Sequence, residues 1–126
     1  MDIHAEIVRL VKHALFSASE AAHYASESSG ISYDDPIRAV RFEAGAVDIA
    51  LNGLSAIHTA KTLYLNAGEE DDILEDIFVR YEMFVHEITS NFVEDHSHQW
   101  TLIRKDELLK LAVCTEYDIK SAYEDE

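Results

Sequence analysis

The sequence predicts an all-α protein, an antiparallel bundle of about four helices that forms a single domain over residues 1–126. Apolar residues recur at three- and four-residue steps along nearly the whole chain, which is the spacing of an amphipathic helix. One proline and four glycines leave few interruptions in this pattern. Apolar residues make up 48% of the chain, enough for a buried core.

The first helix is predicted over residues 2–27. One stripe of apolar residues runs along it: Ile3, Ile7, Leu10, Val11, Ala14, Ala18, Ala21 and Ala25. The alanines in its second half allow a neighbouring helix to approach closely. Gly30 is expected to end the helix in the left-handed conformation that is common at helix C-termini.

The second helix is predicted over residues 36–66, with Asp35 as its N-cap and Pro36 in its first turn. Two apolar faces predict a central position for it: Ile37, Val40, Ala44, Val47, Leu51 and Leu54 on one face, and Ala46, Ile49, Ala50, Gly53, Ile57 and Ala60 on the other. Gly45 and Gly53 lie nearly on one side and predict close helix packing. A kink or break near Gly53 is the alternative.

The third helix opens with four acids, Glu69 to Asp72, whose charges complement the positive end of the helix dipole. Its predicted core stripe is rich in aromatic residues: Leu74, Ile77, Phe78, Tyr81, Phe84, Val85, Ile88 and Phe92. The fourth helix is predicted over residues 100–123. On this helix, Lys110 and Lys120 could meet acids of the third helix.

The charge of the chain carries the strongest functional signal. The chain has 25 acids against 10 lysines and arginines, and residues 67–96 contain ten acids and one base, Arg80. A field of this sign repels nucleic-acid phosphates, so direct DNA binding is not expected, and it attracts basic surfaces. Ordinary solubility and adaptation to a high-salt cytoplasm are the alternative explanations of the acidity.

Cysteine usage and hydropathy predict a cytoplasmic, soluble protein without a membrane association. Cys114 is the only cysteine, so no intrachain disulfide forms, and its side chain is predicted to be buried. The first residues lack the basic and apolar pattern of a secretory signal. The most apolar stretch, residues 44–65, contains Asp48 and Lys61 and is a poor membrane span.

The histidines raise the question of a metal site. Glu20 and His23 have the spacing found in di-iron bundles, but no second Glu-x-x-His pair accompanies them. Asp95, His96 and His98 form a polar corner that could bind a divalent ion, although isolated surface histidines are commoner than metal ligands. The sequence therefore predicts neither a metal nor a cofactor.

A second, weaker apolar patch lies on the third helix, away from its main stripe. Val79 and Met83 form it together with His86, and Arg80 lies at its rim. Such a patch packs on another helix or forms a symmetric interface, so a homodimer through the third helix is one expectation.

The stretch Arg80 to His86, Arg-Tyr-Glu-Met-Phe-Val-His, resembles the loose motif of HEPN domains, an arginine followed by a histidine after four to six residues. Residues 35–43 are similar to the long helix that precedes this motif in toxin-type members. HEPN domains are all-helical, and many are dimers with a metal-independent ribonuclease site. The resemblance implies that His86 acts in acid–base chemistry on the ribose 2′-hydroxyl while Arg80 steadies the phosphate.

The leading hypothesis is a non-enzymatic helical protein that binds and inhibits or regulates a basic partner. The predicted contact zone consists of six acids: Glu69, Glu70, Asp71, Asp72, Glu75 and Asp76. Nuclease inhibitors, immunity proteins and nucleic-acid mimics use such surfaces against nucleic-acid-binding enzymes. A HEPN-like ribonuclease, or an inactive relative of one, is the alternative.

Overall fold

A computed structural model describes residues 2–31 and 34–119, and within these ranges the chain forms four helices and no strand. They are α1 (Ile3–Ile31), α2 (Pro36–Ala67), α3 (Asp72–Val93) and α4 (Gln99–Ala112). Each helix packs on the next, and α4 closes the bundle against α1. The predicted all-α helical bundle is confirmed.

The core lies along one stripe of each long helix. The α1 stripe is buried from Ile7 to Ala25 except at the partly buried Leu10, while Ile3 at its start is 43% exposed. Small residues face each other where α1 and α2 pack, so these two helices form the most extensive contact in the bundle. Large side chains of α3, among them Tyr81 and Phe84, fill the centre.

Helix α2 begins and ends where local chemistry dictates. Asp35 accepts a hydrogen bond from the Arg38 backbone N–H at 3.0 Å, and Pro36 occupies the first turn. Gly68 closes the helix with a left-handed φ of 70°. The helix runs unbroken for 32 residues, so the break considered near Gly53 does not occur.

The two glycines of α2 have different surroundings. A Cβ on Gly53 would lie 1.8 Å from the Tyr81 hydroxyl oxygen, which itself donates to the Ala50 carbonyl at 3.0 Å. Close packing at Gly53 is confirmed. A Cβ on Gly45 would meet nothing within 4 Å. The prediction of close packing at Gly45 is therefore wrong, because no neighbouring helix lies close to this position.

One predicted face of α2 is only partly buried: Val47 and Leu54 pack against the core, but other members are exposed. Ile37, Val40 and Leu51 are 69%, 55% and 46% exposed, whereas Ala46, Ala50 and other residues on the opposite side are buried. Helix α2 packs against α1 and α3. Apolar composition on both faces of α2 therefore did not imply burial of both faces.

Two predicted helix ends are wrong. Helix α1 continues through Gly30 to Ile31, since glycine tolerates helical backbone as well as the left-handed form. Helix α4 stops at Ala112, because Cys114 adopts a left-handed φ of 63° and its backbone N–H donates to the Asp118 carboxylate at 3.1 Å. Residues 120–123 of the predicted fourth helix lie outside the described residues.

The chain beyond α4 folds back on the core. Tyr117 and Ile119 are buried, so apolar spacing continues after the helix has ended. The turn that directs them inward carries Cys114 on its outside. The Cys114 side chain is exposed, and the prediction that it is buried is wrong.

Candidate functional site

The acids at the start of α3 form the candidate site. Asp71 caps the helix, and its carboxylate accepts a hydrogen bond from the Leu74 backbone N–H at 3.1 Å. Asp72 and Glu75 lie in the first turn, where the helix dipole stabilises negative charge. Local chemistry therefore accounts for part of this concentration of carboxylates.

Two tyrosines, Tyr64 and Tyr117, form hydrogen bonds with two of these acids, Asp71 and Glu75. Tyr64 donates to Glu75 at 2.9 Å and accepts from the Asp71 backbone N–H at 2.9 Å. Tyr117 donates to the Asp71 carboxylate at 3.3 Å. Burial, reinforced by the neighbouring carboxylates, raises the pKa of both phenols, so they remain neutral donors at pH 7. Asp71 and Glu75 are thus occupied within the protein.

The remaining acids are directed to solvent. We call the following four exposed residues the acidic face: Glu69, Glu70, Asp72 and Asp76. Glu69 lies 3.5 Å from His4, which also contacts Glu116 at 2.7 Å. Partial burial of His4 lowers the pKa of its imidazole, but the carboxylates of Glu116 and Glu69 outweigh this and raise the pKa above its ordinary value. Within residues 2–31 and 34–119, no lysine or arginine pairs with the acidic face.

Three arginines are engaged elsewhere in the bundle. Arg9 pairs with Glu6 on α1. Arg80 and Arg104 both contact the Glu107 carboxylate, at 2.7 Å and 3.1 Å. Of the lysines predicted to meet α3, Lys110 forms no ion pair in the described part of the chain, and Lys120 lies outside it.

Arg80 and His86 lie on α3 with different environments. The Arg80 guanidinium donates to Glu107 on α4, and its side chain is 42% exposed. His86 is exposed beside Val79 and Met83, in a shallow hollow of about 330 Å³ between α3 and α4. Val79 and Met83 are 58% and 38% exposed, so much of this patch is open to solvent.

The polar corner between α3 and α4 contains one buried residue, His98, which belongs to a hydrogen-bond network. His98 is 3% exposed; its Nε2 contacts the Glu43 carboxylate on α2, and its Nδ1 lies 2.9 Å from the Thr101 hydroxyl. Asn91 donates to the same hydroxyl at 3.0 Å. The partners assign the ring proton to Nε2, so Thr101 donates to Nδ1 and accepts from Asn91. The network joins α2, α3 and α4.

This network changes the interpretation of the corner histidines. Both ring nitrogens of His98 have partners, and His96 is exposed with Glu94 at 3.4 Å. The described residues contain no group of three or more histidine, cysteine, aspartate or glutamate side chains arranged to hold a metal ion. Glu43 and His98 are 55 residues apart in the chain. Their contact could therefore not be predicted from the local sequence around either residue.

The contact zone was predicted as six equivalent acids, and the structure divides it into two groups. Asp71 and Glu75 hold the start of α3, and the acidic face remains available. The N-cap role of Asp71 had a sequence signal, an aspartate directly before the helix. Its bond to Tyr117, 46 residues away, had none.

Comparison with known proteins adds no relative. No family model, curated protein or solved structure matches the chain. In the part of the chain that the structure describes, no helix combines the length and the apolar character that crossing a bilayer requires.

Proposed function

We propose that the acidic face binds a basic surface of another protein, and that this binding inhibits or regulates a nucleic-acid-binding enzyme. The observation that carries the proposal is the set of exposed carboxylates at the start of α3 without a lysine or arginine partner in the described residues. A basic partner supplies the missing cations.

The density of charge on α3 supports the nucleic-acid-mimic form of this proposal. Asp72 and Asp76 of the acidic face are four residue steps apart, about 6 Å along a helix axis. One DNA strand carries a phosphate about every 3.4 Å, so about two fall within that length. A cleft built for phosphates therefore meets a comparable linear charge on α3.

Rigid mounting supports binding as well. Asp71 and Glu75 are fixed by hydrogen bonds to Tyr117 and Tyr64, so the backbone that presents the acidic face is ordered before any partner arrives. Preorganisation lowers the entropy lost on association. Complementary charge also accelerates encounter, and this contribution weakens as salt rises.

The test compares two charge reversals of equal size. Asp72→Lys with Asp76→Lys alters the acidic face without touching the cap at Asp71. Asp48→Lys with Asp106→Lys makes the same change at exposed positions on α2 and α4. Basic proteins retained by the immobilised wild-type chain are purified, and their affinity for each variant is measured between 50 and 300 mM salt.

We expect the first double variant to bind roughly tenfold more weakly, since exposed charge pairs contribute about 0.2–1 kcal/mol each. The control variant is expected to bind as the wild type does. An enzyme captured in this way should also lose activity when the wild-type chain is added. Equal affinity of the two variants rules out the acidic face as the contact surface.

A HEPN-like ribonuclease is the second candidate. The exposure of His86, in a hollow that Arg104 also lines, favours it, because an imidazole and a guanidinium then share one open surface. In this candidate a second copy would pack on Val79 and Met83, and the paired sites would act without metal.

RNA cleavage in the presence of a chelator tests this candidate. His86→Ala is expected to abolish cleavage, whereas His58→Ala, a change at an exposed histidine on α2, is expected to leave it intact. Arg80→Ala is compared with Glu107→Ala, which breaks the same ion pair but keeps the arginine. If His86→Ala cleaves as well as wild type, the ribonuclease candidate fails.

A further inference from the structure

A second surface, far from the acidic face, has the opposite character. Where the second half of α1 packs on the first half of α2, six residues line an open groove of about 450 Å³: Tyr24, Arg38, Arg41, Phe42, Gly45 and Ile49. The lining is almost entirely apolar, so Arg38 and Arg41 contribute mainly the carbon atoms of their side chains, and their charged ends lie outside this apolar surface. Among the described residues that line it, none is acidic.

The two arginines of this groove differ from the other three in the chain. Arg9, Arg80 and Arg104 are each paired with a glutamate. Arg38 and Arg41 form no ion pair within the described residues, although the chain has 25 acids. Arg38 and Arg41 are three residues apart on one helix, a spacing that puts both side chains on the same side of α2, and two unpaired guanidinium groups so placed are suited to a carboxylate, which accepts paired N–H donors.

The aromatic residues give the groove a defined shape. The rings of Tyr24 and Phe42 have centroids 5.9 Å apart and are inclined by 50°. The Arg38 guanidinium carbon lies 5.5 Å from the Phe42 ring centroid, over the ring face. This stacking orients one guanidinium at the edge of an apolar wall that a flat ring can contact.

Gly45 has no packing role that explains its presence. Glycine inside a helix is less favourable than alanine, and a Cβ here would meet nothing within 4 Å. Its position on the groove floor, between Arg41 and Ile49, offers an explanation. The absent side chain leaves the floor open.

From these observations we propose that the groove is a binding site for a small aromatic carboxylate. The carboxylate of the ligand pairs with Arg38 and Arg41, and its ring lies over Gly45 against Phe42 and Tyr24. The net charge of −15 favours a ligand with one negative charge over a polyanion, because each added charge increases repulsion from the whole molecule. The volume lies within the range of small-molecule sites.

The probe is 2-naphthoate, titrated into the ¹⁵N-labelled full chain and followed by NMR. The chain has four glycines, so the Gly45 amide signal is readily assigned and Gly68 serves as a distant reference. We expect saturable shifts at Gly45 and its neighbours, with a dissociation constant below about 1 mM, as the ligand size implies. The neutral 2-naphthamide is expected to bind at least tenfold more weakly.

Two variants locate the site without threatening the fold. Gly45→Leu fills the floor and introduces a better helix former, so it is expected to fold at least as stably as wild type and to bind at least tenfold more weakly. Arg38→Gln with Arg41→Gln is expected to remove the preference for the anion. Lys61→Gln, at an exposed cation near the other end of α2, is expected to change nothing.

Three results overturn the proposal: no saturable shift at Gly45, equal affinity for naphthoate and naphthamide, or undiminished binding by Gly45→Leu. None of them bears on the acidic face, which lies at the opposite end of α2. The charge reversals of α3 are expected to leave naphthoate binding intact.

Discussion

Gly45 and Gly53 show that one residue type can serve two purposes on the same helix. Both cost helix stability relative to alanine, and both were predicted to pack closely against a neighbouring helix. Their surroundings differ: Gly53 lies against the Tyr81 hydroxyl, whereas no atom lies within 4 Å of the position that a Cβ on Gly45 would occupy. Only tertiary structure, through a contact with α3, could reveal that difference.

Substituting each glycine by alanine should change stability in opposite directions. Gly53→Ala is expected to lower the free energy of unfolding by about 2 kcal/mol, because the new methyl group collides with Tyr81 and overpacking outweighs the gain in helix propensity. Gly45→Ala is expected to raise it by roughly 0.5–1 kcal/mol. Urea unfolding followed by circular dichroism measures both.

A double variant identifies the cause of the loss at Gly53. Tyr81→Phe removes the hydroxyl that lies closest to the added methyl group, so it should partly rescue Gly53→Ala. The cycle is expected to give a favourable coupling of about 1 kcal/mol. Simple additivity of the two substitutions would show that the collision is not the source of the effect.

Tyr81 should also make stability sensitive to alkaline pH. Burial raises the pKa of its phenol above the ordinary value of about 10. Above pH 10 the unfolded chain therefore releases a proton that the folded protein keeps, and stability falls as pH rises. The expected loss from this group is about 1.4 kcal/mol per pH unit.

Unfolding at pH 9, 10 and 11 measures this loss against Tyr81→Phe. The wild type is expected to lose stability faster than the variant above pH 10, while below that pH the difference between them stays constant. Parallel curves for the two proteins across this range would contradict a buried neutral phenol at position 81.

The helices differ in how well the sequence predicts their ends. Both ends of α2 were predictable, because Asp35, Pro36 and Gly68 each carry a backbone signal that does not depend on the rest of the fold. The end of α4 was not. Leu108, Ala112 and Ile119 are buried at helical spacing, although the hydrogen-bonded helix stops at Ala112.

The N-caps should contribute unequally to stability. Asp35→Ala removes one exposed capping bond and is expected to cost about 1 kcal/mol. Asp71→Ala removes the α3 cap and the acceptor of the Tyr117 hydroxyl together, so roughly 2 kcal/mol is expected. Chemical denaturation of the two variants gives both values.

The conservative variant Asp71→Asn separates capping from charge at this position. Asparagine caps a helix nearly as well as aspartate and can still accept from Tyr117, so most of the stability should be retained. A loss as large as that of Asp71→Ala would mean that the negative charge, rather than the hydrogen bonds, holds the start of α3.

Sites formed by residues far apart in the sequence could not be predicted, whereas a site formed by sequence neighbours could. The acids of α3 adjoin one another in sequence, so their concentration was visible before the fold was known. The groove combines Tyr24 of α1 with Arg38 and Phe42 of α2, and the corner combines His98 with Glu43. Neither combination follows from helical periodicity, which describes one helix at a time.

Charges in different parts of the molecule differ both in number and in whether they are paired. Arginines on α1, α3 and α4 are paired with glutamates, whereas the acidic face has no lysine or arginine partner in the described residues. Repulsion within the net charge of −15 opposes compaction of the chain. The acidity is therefore a cost to folding that binding of a basic partner would offset.

Salt should relieve that repulsion over a limited range. Between about 20 and 300 mM NaCl the screening length falls from roughly 20 to 6 Å, so the urea midpoint of the wild type is expected to rise. Asp72→Lys with Asp76→Lys changes the net charge by +4, from −15 to −11, and should show a smaller rise. The increase should level off near 0.5 M, where screening is nearly complete. Adaptation to a high-salt cytoplasm predicts instead that stability continues to climb in multimolar KCl, and such a climb would remove the reason to assign the acidic face to a partner.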